Sequence, residues 1–283
     1  MNVNGQWIET KQANISILNR GFLFGDGVYE TIRTYAKKPF ALEKHFERLK
    51  YSAEKLKIEL PDLSLLTSII YEGIERMTAL IEDEEIYIRL IVTRGTSEFS
   101  LRIVSASPDF ILIFRPLKSS GKEGVKIKIS RIRKIPPESI DPRIKAIGQV
   151  DKILARLELS EDEYEAIMLS YNGYLAEGTM SNIFIVSNDR LITPSLETGI
   201  LSGITRDVVI EIARKKSIEV EERFVELSEL FNADEVFLTH TSAEIVPVRY
   251  VEKIEKKIGS ITSILKAEFR EYINEWLSNK NPG

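Results

Sequence analysis

The 283-residue chain contains no cysteine. Disulfides, thiolate nucleophiles and cysteine metal sites are thereby excluded. Histidine is nearly absent too: His45 and His240 are the only two. A His-rich metal centre is excluded, and a Ser-His-Asp triad would have to use one of them. His240 lies close to Ser242, yet no GxSxG elbow surrounds that serine, so a hydrolase is a remote reading. No run approaches the roughly 18 apolar residues of a membrane-spanning helix. The first residues, MNVNGQWIETKQ, have no apolar signal-peptide core, and a cytoplasmic location is expected. Neither charge sign dominates. Lys and Arg number 39 against 43 Asp and Glu, for a net charge of -4. With a pI near 5.6, this argues against nucleic acid or anionic membrane as partners. The chain shows no internal repeat and no low-complexity tract.

What is present suffices for an ordinary core: 43% of residues are hydrophobic and 29% charged. The length predicts one large or two medium domains. Abundant Glu, Lys and Ile without Cys fits a heat-adapted source, a thermophile. Asn4-Gly5 predicts a hairpin turn within residues 2–9. Gly21, Gly25 and Gly27 do not form GxGxxG, so a phosphate cradle is not expected there. Residues 28–35 alternate as a strand. Apolar residues at 42, 46, 49, 53 and 56 mark an amphipathic helix over Leu42–Leu56. Arg48 and His45 fall at its polar border, and position alone makes them solvated. Further elements are a helix over 64–81 and strands over 85–93 and 110–115. Pro116 to Gly124 is the best linker. The expected division is residues 1–116, a linker at 117–124, and residues 125–283. Within the last part come strands over 125–132, 165–170, 182–186 and 235–239, and helices after Ile147, over 205–216 and over 259–277. The class is α/β in the mixed α+β sense.

The stretch Glu177 to Arg206 organises the rest. It reads as a strand, a turn, a second strand, a loop and a helix start at Gly203-Ile204-Thr205. A helix start offers free N–H groups and a positive dipole end to an anion. Glu177, beside Gly178, follows an apolar strand and a hairpin. Lys145 follows a proline loop and stands next to Arg143. A neutral lysine can attack an aldehyde, and a carboxylate can keep a pyridine nitrogen protonated. On position alone each residue also has a plain reading: Lys145 as a surface lysine, Glu177 as a turn acid in water, Thr205 as a helix cap.

Six segments together resemble the class IV, fold type IV, pyridoxal phosphate (PLP) aminotransferases. This family includes D-amino-acid transaminase, branched-chain aminotransferase and aminodeoxychorismate lyase. The segments are Arg20-Gly21 through Glu30, His45-Phe46-Glu47-Arg48-Leu49, Ile144-Lys145, Glu177-Gly178 through Phe184, Gly203-Ile204-Thr205-Arg206-Asp207, and Thr241 through Val248. They run in family order over nearly the whole chain. The resemblance implies pyridoxal 5'-phosphate as cofactor, with Lys145 as the Schiff-base lysine that shuttles the proton. It implies Glu177 at the pyridine nitrogen, Leu201 on the ring face, and Arg48, Ile204, Thr205 and Thr241 at the phosphate. Ser181 is expected beside the cofactor, and Tyr29, Arg33, Arg89 and Ser242 beside the substrate. Ping-pong transamination between an amino acid and a 2-oxo acid such as 2-oxoglutarate or pyruvate is expected. So are a homodimer, a small N-terminal α/β domain and a larger C-terminal pseudo-barrel domain.

The chain also departs from its subfamilies. Val150 stands where branched-chain enzymes carry a tyrosine, and so resembles the D-enzymes. The Thr93-Arg94-Gly95-Thr96-Ser97 run does too, but the Arg-x-His that follows it in D-enzymes is replaced by Glu98-Phe99-Ser100-Leu101-Arg102. Tyr29 to Arg33 and Tyr87-Ile88-Arg89 resemble branched-chain enzymes. Arg33, Arg89 and Arg102 are thus the candidates for gripping the substrate carboxylate, and the balance of D against L is near even with a lean to D. A 4-amino-4-deoxychorismate lyase is the alternative activity.

Overall fold

The computed structural model describes residues 1–82, 84–102, 107–118 and 124–279. Packing divides the chain into two units. The first is Met1–Ser119 with Ile144–Gln149, and the second is Ser120–Arg143 with Val150–Gly283.

In the first unit, β1 (Asn2–Val3) and β2 (Gln6–Trp7) form the expected hairpin. Asn4 and Gly5 both take positive φ, 51° and 85°, as a type I′ turn requires. There follow α1 (Arg20–Phe24), β3 (Gly27–Tyr35), β4 (Lys38–Pro39), α2 (Leu42–Leu56), α3 (Leu63–Thr78), β5 (Glu85–Thr93) and β6 (Asp109–Leu117). Asp62 caps α3 by accepting the Ser64 N–H at 2.7 Å. The six strands order as β2-β1-β6-β5-β3-β4. Alternation along β3 and β5 sorts their residues by face. Val28, Ile32, Ile86, Ile88, Leu90 and Val92 join Leu49, Leu66 and Ile70 of the helices in one core. Tyr29, Thr31 and Arg33 pair across to Ile91, Arg89 and Tyr87, which places them on the face that this core leaves uncovered.

Ile144–Gln149 packs with this unit, whereas the sequence boundary put it in the later part. The reason is backbone pairing along the edge of β3. Tyr29 N–H donates to Lys145 O at 3.0 Å, and Ile147 N–H donates to Gly27 O at 3.0 Å. Of the expected linker, Leu117 ends β6, and residues 119–123 lie outside the described residues.

The second unit contains β7 (Val125–Arg133), α4 (Val150–Arg156), β8 (Glu163–Leu169), β9 (Leu175–Gly178), β10 (Asn182–Ser187), β11 (Arg190–Pro194), α5 (Ile204–Lys215), β12 (Val220–Arg223), α6 (Leu227–Asn232), β13 (Glu235–His240), β14 (Glu244–Val251), β15 (Ile254–Glu255) and α7 (Ser260–Asn279). Its sheet runs β12-β11-β10-β13-β14-β7-β8-β9. A further pairing of Glu177 with Asn182 joins β9 back to β10. Six strands therefore close on themselves as a small barrel, with β11 and β12 extending from β10. Ile127, Ile167, Leu175, Ile183, Leu238 and Val248 are among the fully buried residues of the core of this unit. Val208, Val209, Ile212 and Ala213 of α5 are buried, as their spacing predicts. Among the described residues, no helix is long and apolar enough to cross a membrane.

Ile88→Ala removes three buried carbons from a site with no solvent exposure. It should destabilise the protein by about 2–5 kcal/mol. Leu80→Ala, at a residue 78% exposed, should cost under about 0.5 kcal/mol. Urea midpoints of the two variants check both expectations.

Candidate active site

Lys145 is fixed by its backbone. Its N–H donates to Ser52 Oγ of α2 at 3.1 Å, and its carbonyl accepts from Tyr29. Ser52 in turn donates to Arg48 O at 2.8 Å. The Lys145 ammonium lies 4.5 Å from the centre of the Tyr29 ring, and the Arg89 guanidinium carbon lies 4.0 Å from the same centre. Two cations thus meet at one phenol. Arg33 stacks on Tyr35 at 4.1 Å. Arg102 is exposed in a bend.

Arg48 and His45 are not at a solvated border. His45 is 1% exposed, and its Nδ1 lies 2.7 Å from Glu30 Oε2. Arg48 donates from Nε and Nη2 to the two oxygens of Glu30, at 2.7 and 2.8 Å. The cause is register. Glu30 faces the helices from a strand whose neighbours Val28 and Ile32 are core residues, so the acid is buried and must be paired. Burial pushes the Glu30 carboxyl up, but the Arg48 guanidinium and His45 outweigh it and hold it far below the usual range. Burial pushes His45 down against the pull of Glu30, and the positive charges of Arg48 and Lys145 add to that. Glu30 is therefore ionised and His45 neutral near pH 7.

In the second unit, Glu177 is 3% exposed. Lys134 Nζ donates to its Oε1 at 2.7 Å. Leu201 N–H donates to Oε2 at 3.0 Å, and Asn182 Nδ2 at 3.3 Å. Asn182 also donates to Leu201 O at 3.0 Å. Burial raises the Glu177 carboxyl, but the Lys134 and Lys152 charges and the hydrogen bonds from Lys134 and Leu201 outweigh it and hold it below its ordinary range, so it stays ionised. Lys134 and Asn182 are partners that sequence reasoning did not single out. Lys134 ends an alternating run of cations, VKIKISRIRK, and nothing in the sequence separates it from its exposed neighbours.

Gly203 precedes α5 and cannot cap it with a side chain. A Cβ there would collide with Asn182 Oδ1. Thr205 is therefore not the cap but a buried first-turn residue. Ile204 is buried beside it, and the first-turn N–H groups have no intrahelical partner. Ser181 turns its hydroxyl to Glu165 Oε2 at 3.0 Å, rather than to Glu177. Thr241 lies half-buried in the β13–β14 turn, and Ser242 Oγ lies 3.0 Å from His240 Nδ1. Among the described residues, Thr239 Oγ1 is a buried oxygen with no partner. It lies opposite Asn182 in the barrel register.

The family model for class IV aminotransferases matches residues 27–251. The chain belongs to this family. It is 36% identical over 281 residues to a putative branched-chain-amino-acid aminotransferase of Methanocaldococcus jannaschii, covering 97% of this chain and 96% of that one. It is 40% identical over 251 residues to a probable branched-chain-amino-acid aminotransferase of Thermotoga maritima, covering 87% and 86%. Among solved structures, a branched-chain aminotransferase of Thermoproteus uzoniensis with norvaline superposes with a TM-score of 0.86 at 31% identity, covering 95% and 92%. Similar proteins of this family also carry the names aminodeoxychorismate lyase, in Bacillus subtilis, and D-alanine aminotransferase, in Bacillus licheniformis. Another similar branched-chain aminotransferase was solved with pyridoxamine 5'-phosphate. The mixed α/β class and the barrel are those of the family's solved structures.

The Glu30–His45 pairing of this aminotransferase sets a pH dependence. Both groups have folded pKa values below their ordinary ones, so both stabilise above the unfolded values and lose that effect as pH falls. Stability should decline as pH drops below about 6.5 through His45 and again below about 4.5 through Glu30. Thermal midpoints across this range check it, and His45→Gln should flatten the first decline.

Proposed function

We propose that this aminotransferase moves the amino group of a branched-chain L-amino acid to a 2-oxo acid such as 2-oxoglutarate, using pyridoxal 5'-phosphate. The single observation that carries the substrate reading is the Tyr29 ring flanked by Lys145 and Arg89. It sets a cation able to take a carboxylate fork beside the reactive amine. The names of similar relatives support the same reading. Val150, whose identity leans toward D-amino acids, lies exposed on α4.

The residues fit the cofactor in each unit taken separately. A buried ionised carboxylate, Glu177, suits a protonated pyridine nitrogen. A helix start at Gly203 without a side-chain cap suits a phosphate, and among the described residues Thr239 Oγ1 is a further buried polar atom without a hydrogen-bond partner. When bound, pyridoxal phosphate supplies a sink for the electron pair left by loss of the substrate α proton. Lys145 would hold the aldehyde carbon until the substrate amine displaces it there, and its freed amine would then take the α proton and deliver it to that same carbon. Glu177 would keep its negative charge at the pyridine nitrogen, with Lys134, Asn182 and Leu201 holding it in place. Ile204, Thr205, Thr241 and Arg48 would bind the phosphate, and Leu201 and Ser181 would line the ring pocket. Arg89 would take the carboxylate, with Tyr29, Arg33 and Ser242 shaping the substrate pocket.

A homodimer is part of this proposal. Val150, Ile153, Leu154 and Leu157 follow helical spacing along α4 and its end, yet are exposed by 70, 58, 46 and 76%. An apolar stripe of this kind suits burial by a second copy.

Half-reactions with L-Leu, L-Val, D-Ala and aminodeoxychorismate test the reading. Conversion of the cofactor by L-Leu and L-Val, and much more slowly by D-Ala, is expected. Turnover of aminodeoxychorismate without an acceptor would replace it by the lyase. Lys145→Ala should abolish the borohydride-reducible visible band and lower kcat by roughly 10²–10⁴-fold or more. Glu177→Gln should lower kcat by about 10²-fold with cofactor affinity affected less. Wild-type turnover in either variant would remove its assigned role.

A further inference from the structure

The turn between β13 and β14 runs through Thr241, Ser242 and Ala243, with His240 and Glu244 as the last paired residues. Glu244 takes a φ of 62°, a left-handed conformation that a residue with a side chain adopts at a cost. Within the turn, Ala243 N–H donates to His240 O at 3.3 Å, longer than a good bond. A turn built this way gains from a side-chain brace, and His240 supplies one.

The His240 ring joins two hydroxyls. Nδ1 lies 3.0 Å from Ser242 Oγ, and Nε2 lies 2.8 Å from Tyr164 Oη. Tyr164 comes from β8, which is separated from β14 by β7. Its ring lies 6.3 Å from the imidazole, tilted by 31°. A neutral imidazole has one donor and one acceptor, and each hydroxyl can play either part. One tautomer thus satisfies both contacts. The ring is rigid, so it ties the turn tip to the barrel wall at a fixed distance. Thr241 stands between the two residues that are clamped.

We propose that His240, braced by Tyr164, is a positioning residue that sets the Thr241–Ser242 turn for the cofactor phosphate and the substrate pocket. This rests on the aminotransferase reading above. His240 touches neither ligand in the proposal. It acts by holding Ser242 and, through the backbone, Thr241. A shorter hydroxyl side chain at 240 could not bridge the two partners. A glutamine amide, with a donor and an acceptor, could do so in part.

The test uses the purified full-length enzyme and His240→Ala, His240→Gln and Tyr164→Phe. Three quantities are read: PLP affinity by titration of the visible band, kcat and KM for 2-oxoglutarate, and the thermal midpoint. Each lost hydrogen bond is worth roughly 3–10-fold. His240→Ala should weaken PLP and raise KM by about 10-fold or more, and Tyr164→Phe by about 3-fold. kcat should stay within about 3-fold, since the proton-moving amine is untouched. Gln should recover much of the alanine loss at unchanged thermal midpoint. PLP affinity and KM within about two-fold of wild type in both His240→Ala and Tyr164→Phe would overturn the proposal. So would equal losses in Ala and Gln that track the thermal midpoint. If wild type itself bound no PLP, the aminotransferase reading would fall and take this one with it. If wild type bound PLP and the variants bound it equally well with unchanged KM, this inference alone would fail.

Discussion

The second unit depends on the meeting of Glu177 and Asn182. This single backbone pairing closes six strands into a barrel. The same two residues also bond through their side chains, and both hold the loop at Leu201. A buried carboxylate is tolerable only where donors surround it, and closure brings Asn182, and with it the Leu201 loop, to Glu177 beside Lys134. Gly178 is needed at this point, because a Cβ would strike Ser181 Oγ and the Glu165 side chain. Gly203 is needed for the same reason against Asn182. Fold closure and acid placement are one event in this protein, so damage to either damages both.

The first unit handles its charge differently. Glu30 sits in the helix-facing register of β3, where a hydrophobic residue would otherwise fall. Arg48 neutralises it and His45 hydrogen-bonds it from one helix face, three residues apart. The opposite face of the same strand carries Tyr29, with Lys145 and Arg89 on its ring. The alternation of the strand thus puts the Glu30 cluster on one face and the Lys145–Tyr29–Arg89 group on the other. Ser52 couples them, since it bonds the backbones of both Arg48 and Lys145.

Much of this was legible in the chain. The periodicity of Leu42–Leu56 and the alternation of Glu85–Thr93 give their elements with matching ends. Asn4-Gly5 marks a real turn, with φ of 51° and 85° at its two residues. What escaped is instructive. His45 and Arg48 look solvated because a helical wheel shows the stripe of one helix and not the acid on a strand 15 residues earlier. Lys134 is hidden among like charges. Thr205 resembles a cap, but the helix begins before it because Gly203 fits where Asn182 leaves no room. The helix at 150–156 was readable from its apolar spacing, yet that stripe lies exposed rather than packed within the chain. Strands β12 and β15 and helix α6 are too short for a period to declare itself.

The lysine segment has a consequence for how this gene can be divided. The polypeptide passes between its two units three times, at residues 119, 143 and 149. A fragment ending at Ser119 would lack Ile144–Gln149 and leave the backbone groups of Gly27 and Tyr29 without the partners they have here. No single break yields two complete pieces. Exchange of one half for another by recombination would therefore have to carry the Ile144–Gln149 island along, and that island holds Lys145, to which the proposed chemistry assigns the aldehyde carbon.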